Sequence, residues 1–232
     1  MQYHGVGSDE LTQHNEFRLM SFSIFLTKYL ELSLFSAIFA HGMSKNLYII
    51  GGCNGAGKTT ASYTVLPEIL DCREFVNADE IARGLSPFNP ESVAIEAGRL
   101  MLKRIEELLE REESFAIETT LATKSYINLV RRAQAKGYSV WVLFFWLNSP
   151  ELAMQRVAER VAKGGHNIPE SVISRRYVAG IRNLFHLFMS EVDYWELYDN
   201  SSYPAVQVAY GGKEEIVIKV YSVYDKIRNY VK

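Results

Sequence analysis

Cysteine is nearly missing from this chain. The two present, Cys53 and Cys72, are too few for a disulfide framework and lack the spacing of zinc ligands. Such usage fits a reducing compartment, and a cytoplasmic location is expected. Net charge is also small: 25 Lys+Arg against 27 Asp+Glu give −2, with a pI near 6.2. That balance excludes the broad basic surface of a sequence-independent nucleic-acid binder, so no nucleic-acid partner is expected and any phosphate binding must be local. Internal repeats and low-complexity linkers are missing too. The most apolar stretch, residues 21–40 behind Arg18, is interrupted by Lys28 and Glu31. An ionised residue near the centre of a spanning helix costs roughly 2.5–3.5 kcal/mol, and the run is longer than a signal-peptide core. No membrane association is expected. Residues 1–42 are read as an accessory extension or non-native upstream translation, ahead of a domain at 43–232 that opens at Met43.

What is present suits one domain with a sizeable core: 232 residues, 48% of them apolar. From residue 47 short apolar runs alternate with helical patterns, the signature of a parallel sheet covered on both faces. Strands are expected at 47–51, 75–77, 115–119 and 138–147, the last apolar enough to be buried on both faces. A helix over 92–111 carries a stripe of Val93, Ala97, Leu100, Met101, Ile105, Leu108 and Leu109, with Glu107 and Arg111 paired outside it. Another runs over 124–136 and stops at Gly137. A charged helix at 151–163 is broken by Gly164-Gly165, and Pro169 opens the next. Runs at 205–210 and 215–221 flank Gly211-Gly212 as a hairpin or edge strands, before a final helix to Lys232. The expected fold is a three-layer α/β P-loop NTPase with a parallel five-stranded sheet and a helical lid at about 150–182.

Gly52-Cys53-Asn54-Gly55-Ala56-Gly57-Lys58-Thr59 satisfies G-x-x-x-x-G-K-[ST] between an apolar strand and a helix. Its glycines let successive N–H groups turn inward around phosphate oxygens, and the helix adds its positive end. Gly52, Asn54, Gly55, Ala56, Gly57, Lys58, Thr59 and Thr60 are thus the expected ATP site, with Lys58 on the β- and γ-phosphates and the Thr59 hydroxyl on Mg²⁺. The Cys53 thiol sits among inward N–H dipoles that would lower its pKa, against which the plainer and preferred reading is a small residue that the loop tolerates. A GTPase would need N-K-x-D after a strand, and none occurs. A motor ATPase would need a strand ending in paired acids, whereas the third strand ends Ile117-Glu118-Thr119-Thr120. A small-molecule kinase remains, needing a base, substrate-holding residues and mobile arginines. Arg156 and Arg160 share a helix face at i,i+4, and Arg175 and Arg176 follow the Gly-Gly break. At least two of this cluster are expected over the γ-phosphate, and spacing does not select among them. His166 is expected to be a solvated loop histidine, with a lid contact as the alternative.

Five segments, G-G-C-N-G-A-G-K-T-T (51–60), F-V-N-A-D-E-I-A (75–82), A-I-E-T-T-L (116–121), G-G-H-N-I-P-E-S-V-I-S-R-R-Y (164–177) and Y-D-N-S (198–201), make the chain resemble the zeta toxin family of P-loop kinases. The resemblance implies phosphorylation of a sugar hydroxyl of UDP-N-acetylglucosamine or a similar nucleotide sugar, and a protein antitoxin as partner. It implies Asp79 as the catalytic acid that accepts the hydroxyl proton, where the plain alternative is a cap for a helix beginning at Glu80. It implies Glu118 and Thr120 as the substrate-holding pair, where the alternative is a Thr120 cap and a solvent-facing Glu118. Lys58, Arg160, Arg175 and Arg176 complete the expected catalytic group. A kinase of another small hydroxyl compound, or a non-catalytic nucleotide-binding module, would share the same phosphate site.

Overall fold

The computed structural model describes residues 45–165 and 167–231; the N-terminal extension and His166 lie outside them. The apolar runs form a sheet whose strand order is β2-β3-β1-β4-β5-β6-β7: β1 (Asn46–Gly52), β2 (Phe75–Val76), β3 (Phe115–Thr119), β4 (Ser139–Trp146), β5 (Tyr194–Asp199), β6 (Val206–Gly212) and β7 (Ile216–Ile218). The first five in that order are parallel, and β6 and β7 continue antiparallel. The expected five-stranded parallel sheet is therefore the core of a seven-stranded one. β4 is buried from Val140 to Trp146, as its unbroken apolar run requires of a strand covered on both faces.

Seven helices complete the description: α1 (Lys58–Glu68), α2 (Ala78–Leu85), α3 (Ala94–Arg111, after a 3₁₀ turn at Pro90–Val93), α4 (Tyr126–Ala135), α5 (Pro150–Ala162), α6 (Glu170–Asn183) and α7 (Tyr221–Arg228). α6 runs on through a π-helical turn, Leu184–Phe188, and Met189–Glu191. α5 and α6 occupy the span expected for a helical lid. Its base is anchored, since Ala153 and Val157 of α5 and Ile173, Tyr177 and Ile181 of α6 are buried. Among the described residues no helix is long and apolar enough to cross a membrane.

Several local expectations are corrected. Gly211 and Gly212 are not the hairpin turn; they pair with Trp195 and Tyr194 inside β6. Gly211 is needed there because a Cβ would sit 2.3 Å from the Glu215 carbonyl oxygen as the hairpin folds back. Leu100 leaves the α3 stripe and is partly exposed, while Ala97, Met101, Ile105, Leu108 and Leu109 hold the core. Glu107 pairs with Arg104, and Arg111 with Glu113, because the chain leaves the helix at Glu112 in a left-handed conformation that swings Glu113 back.

The topology gathers the polar residues at one edge. Parallel strands end on the same side of the sheet, where open α/β folds bind ligands. The register sets Ile50 beside Glu118 and Gly51 beside Thr119, and Val76 beside Ile117. The chain therefore leaves β1 into the P-loop, β2 into Asn77-Ala78-Asp79 and β3 into Thr119-Thr120 at neighbouring positions.

Candidate active site

The loop between β1 and α1 has the conformation its glycines permit. Gly52 and Gly57 have φ of 140° and 82°, a region closed to most side chains. Space is short as well: a Cβ would lie 2.3 Å from the Phe145 carbonyl oxygen at Gly52 and 2.6 Å from Asn200 Nδ2 at Gly57. Gly57 opens α1 without a side-chain cap, so the first amides of an 11-residue helix are left to a ligand, the arrangement that binds phosphate. Ala56 is buried and its carbonyl accepts from Asn200 Nδ2 at 2.8 Å. Asn54 is buried as well.

Lys58 is buried and donates to the Cys53 carbonyl at 3.0 Å. Its ammonium lies 3.6 Å from Glu118 Oε1, the two side chains being only 7% and 9% exposed. Glu118 is the junction of the site: its Oε2 accepts from Thr59 Oγ1 at 2.8 Å and from Asn77 Nδ2 at 2.8 Å. The solvent-facing alternative for Glu118 is thereby excluded, and the polar partners answer the cost of burying a carboxylate. The Cys53 thiol follows the plainer reading, a small buried residue. Burial pushes it up from its ordinary 9.0 to about 11, outweighing the nearby charges of Lys58 and Arg156.

Asn77 caps α2, its side chain accepting from the Asp79 amide at 2.8 Å. The helix starts at Ala78 rather than Glu80, so Asp79 is not its cap; Asp79 sits in the first turn with its side chain exposed. Thr120 does not cap α4, which begins at Tyr126; its hydroxyl accepts from the Ala122 amide at 3.4 Å in a local turn.

Two cavities meet at this edge. One, of about 360 Å³, is lined by Asp79, Phe88, Glu91 and Asn167, among others. The other, of about 670 Å³, lies on the P-loop against Gly55, Thr59 and Thr60. Arg83, Arg160, Gly164 and Gly165 line both, so Arg160 stands on the wall between the P-loop and Asp79. Glu118 and Thr120 line neither.

The lid arginines separate. Arg176 Nη1 donates to Asn54 Oδ1 at 3.3 Å, bringing α6 onto the P-loop. Arg175, its neighbour, is exposed, and neither of the two lines either cavity. Arg156 donates to the carbonyls of Asn200 and Ser201 at 2.9 and 3.0 Å, pinning the segment after β5. Sequence reasoning assigned no role to Asn77 or Asn200, although both fall inside motif segments, nor to Asn183, for which no motif signals.

The donor set fits a nucleotide with a hard cation. A hydroxyl and a carboxylate, Thr59 and Glu118, share one hydrogen bond beside the uncapped helix end, and oxygen ligands of this kind suit Mg²⁺. Among the described residues no group of three or more His, Cys, Asp or Glu could hold a metal.

A sequence model of the family described as Zeta toxin matches residues 34–192. The chain belongs to the zeta toxin family. A relative described as an uncharacterized protein of Haemophilus influenzae (strain Rd) is 29% identical over 126 residues, 54% of this chain and 88% of that one. Among solved structures, the AvrRxo1-ORF1:AvrRxo1-ORF2 complex with sulphate ions matches with a TM-score of 0.66 at 19% identity, over 94% of this chain and 71% of that one. The same complex has been solved with ATP. The PezAT chromosomal toxin–antitoxin system of Streptococcus pneumoniae matches with a TM-score of 0.58 at 16% identity, over 97% and 88%. These likenesses show the fold, an α/β P-loop kinase with a mostly parallel sheet, and family and fold together imply a phosphotransferase.

Proposed function

We propose that this protein transfers the γ-phosphoryl group of Mg-ATP to a sugar hydroxyl of UDP-N-acetylglucosamine or a similar nucleotide sugar. The observation that carries the reading is the shared wall of the two cavities. One cavity opens on the phosphate loop, the other on Asp79, and Arg160 lines both, the arrangement an in-line transfer between two substrates needs. Bound Mg²⁺ would neutralise charge on the β- and γ-phosphates, with Thr59 and Glu118 as the protein groups that would hold it.

The remaining work falls to side chains of this chain. The loop amides of residues 54–59 and Lys58 bind and orient the phosphates. Asp79 accepts the proton of the attacking hydroxyl; its carboxylate is free for this because Asn77 does the capping. Arg160, on the shared wall, and Arg176, held to Asn54 of the P-loop, stabilise the charge that spreads over the transferring group, whereas Arg175, exposed in this structure, reaches it only if the lid moves. Thr120 lines neither cavity and is assigned to the acceptor on the family resemblance and its place at the edge of the sheet, and Glu118, by its bonds to Asn77 and Thr59, keeps acceptor and donor ends in register. The same reading carries a protein antitoxin as partner, in keeping with the toxin–antitoxin system described for the PezAT match, and a cytoplasmic location.

The test is a phosphate-transfer assay with Mg-ATP over nucleotide sugars, free sugars and nucleosides. Phosphorylated nucleotide sugar is the expected product. Product from another hydroxyl compound alone would redirect the acceptor assignment, and ATP binding with no product across the panel would overturn the kinase reading.

A further inference from the structure

One face of α6 touches the site three times. Arg176, Gly180 and Asn183 stand at i, i+4 and i+7, a spacing that stacks them along one side of the helix. Arg176 donates to Asn54 of the P-loop at 3.3 Å. A Cβ on Gly180 would lie 2.5 Å from the Thr120 carbonyl oxygen, so the helix backbone rests directly on that peptide. Asn183, itself buried, donates from Nδ2 to the Leu121 carbonyl at 2.7 Å.

The turn under this face is strained. Leu121 has φ of 55°, a left-handed conformation that a residue with a Cβ keeps only where its surroundings impose it, and such residues gather at functional sites. Here the surroundings are visible. The Leu121 side chain is fully buried in the space left by Gly51, where a Cβ would come 3.0 Å from Leu121 Cδ1. The Leu121 amide donates to Thr119 Oγ1 at 3.1 Å, and the Leu121 carbonyl is the group Asn183 holds. Directly after Asn183 the helix takes its π-helical turn, a feature frequent at functional sites.

We propose that Asn183 is a positioning residue for phosphoryl transfer: by holding the Leu121 carbonyl it keeps the 119–121 turn in its left-handed form and so fixes Thr120 where the acceptor binds. The proposal rests on the reading of Thr120 as an acceptor contact.

Asn183→Leu keeps the approximate shape and removes the donor; Gly180→Ala presses on the same turn through the Thr120 carbonyl. Both are assayed as the full chain, with Mg-ATP and the nucleotide sugar that wild type accepts, beside acceptor-free ATP hydrolysis and a thermal melt. The expected result is an acceptor KM raised by about tenfold or more, with ATP KM and the hydrolysis rate within about twofold of wild type. If Asn183→Leu does not fold, Gly180→Ala decides. An unchanged acceptor KM, acceptor and ATP constants rising together, or loss of folded protein in both variants would make Asn183 a packing residue and overturn the proposal with the reading of the site intact. Wild-type enzyme that hydrolyses ATP but phosphorylates no acceptor would instead remove the reading itself, and the proposal with it.

Discussion

Replacing Asp79 by Asn separates catalysis from folding at one residue. The cap of α2 belongs to Asn77, which accepts from the Asp79 amide at 2.8 Å, and the Asp79 side chain is exposed. Neutralising it therefore removes only the attraction of a carboxylate to a helix N-terminus, about 0.3–1 kcal/mol. For a chain of this size each kcal/mol moves Tm by about 2–4 °C, so Tm should fall by roughly 1–4 °C. Loss of a general base, by contrast, lowers turnover by about 10²–10⁴, equivalent to roughly 2.7–5.4 kcal/mol of transition-state stabilisation. The assay is steady-state transfer from radiolabelled Mg-ATP to UDP-N-acetylglucosamine, with ATP affinity and Tm measured on the same preparation. ATP affinity should hold, because Asp79 lines the cavity away from the P-loop glycines. Turnover within about fivefold of wild type would refute the assignment of the base.

Asn77→Ala should do the opposite of Asp79→Asn in its balance: it removes the cap, about 0.5–2 kcal/mol, and one partner of the Glu118 carboxylate. Calorimetry should show Tm lower by roughly 1–8 °C, and an unmoved Tm would contradict the capping geometry. Asn200→Ala leaves the buried Ala56 carbonyl bare, a cost of about 1–3 kcal/mol that falls on the phosphate loop. Titration calorimetry should find ATP binding weaker by about tenfold, and unchanged affinity would show that the loop holds itself. Burial holds the Cys53 and Cys72 thiols up from 9.0 to about 11, so the native state keeps protons that the unfolded chain releases above its ordinary thiol pKa. Stability should be full below that value and fall as pH rises through it toward about 11. Thermal melts at pH 8 and above pH 10 check the sign, and rapid thiol labelling of native protein at pH 8 would count against the burial of both cysteines.

Much of this was legible because it is local. The strand, Gly-rich loop and helix of residues 46–68 are one contiguous stretch, so the P-loop is read from its own residues. The buried run of β4, the helix stop at Gly137 and the break at Gly164 follow from composition and backbone freedom, and both glycines take positive φ. The errors came where a neighbour decides. Leu100 fits the periodicity of α3, but no core surface covers it. Gly211-Gly212 looks like a turn because glycine permits one, yet the pair sits in a strand where the returning backbone leaves no room for a side chain. At Cys53 the loop dipoles alone would lower the thiol's pKa, whereas burial raises it.

The sequence by itself determined the phosphate loop, the alternation that makes a parallel sheet, and the segments that mark the family, since each is a pattern within one short stretch of chain. Only the tertiary structure decided what those groups do to one another. Thr59 meets Glu118 across 59 positions, Asn77 meets Glu118 across 41, Asn183 reaches Leu121 across 62, and Asn200 reaches Ala56 across 144. Contacts at such separations depend on strand order and register, which set Glu118 beside β1 and Asn77 beside β3. A shift of one residue in a strand turns every side chain to its other face, so which arginine reaches the P-loop, which residue caps α2 and where the buried carboxylate finds its partners exist only once the sheet has formed.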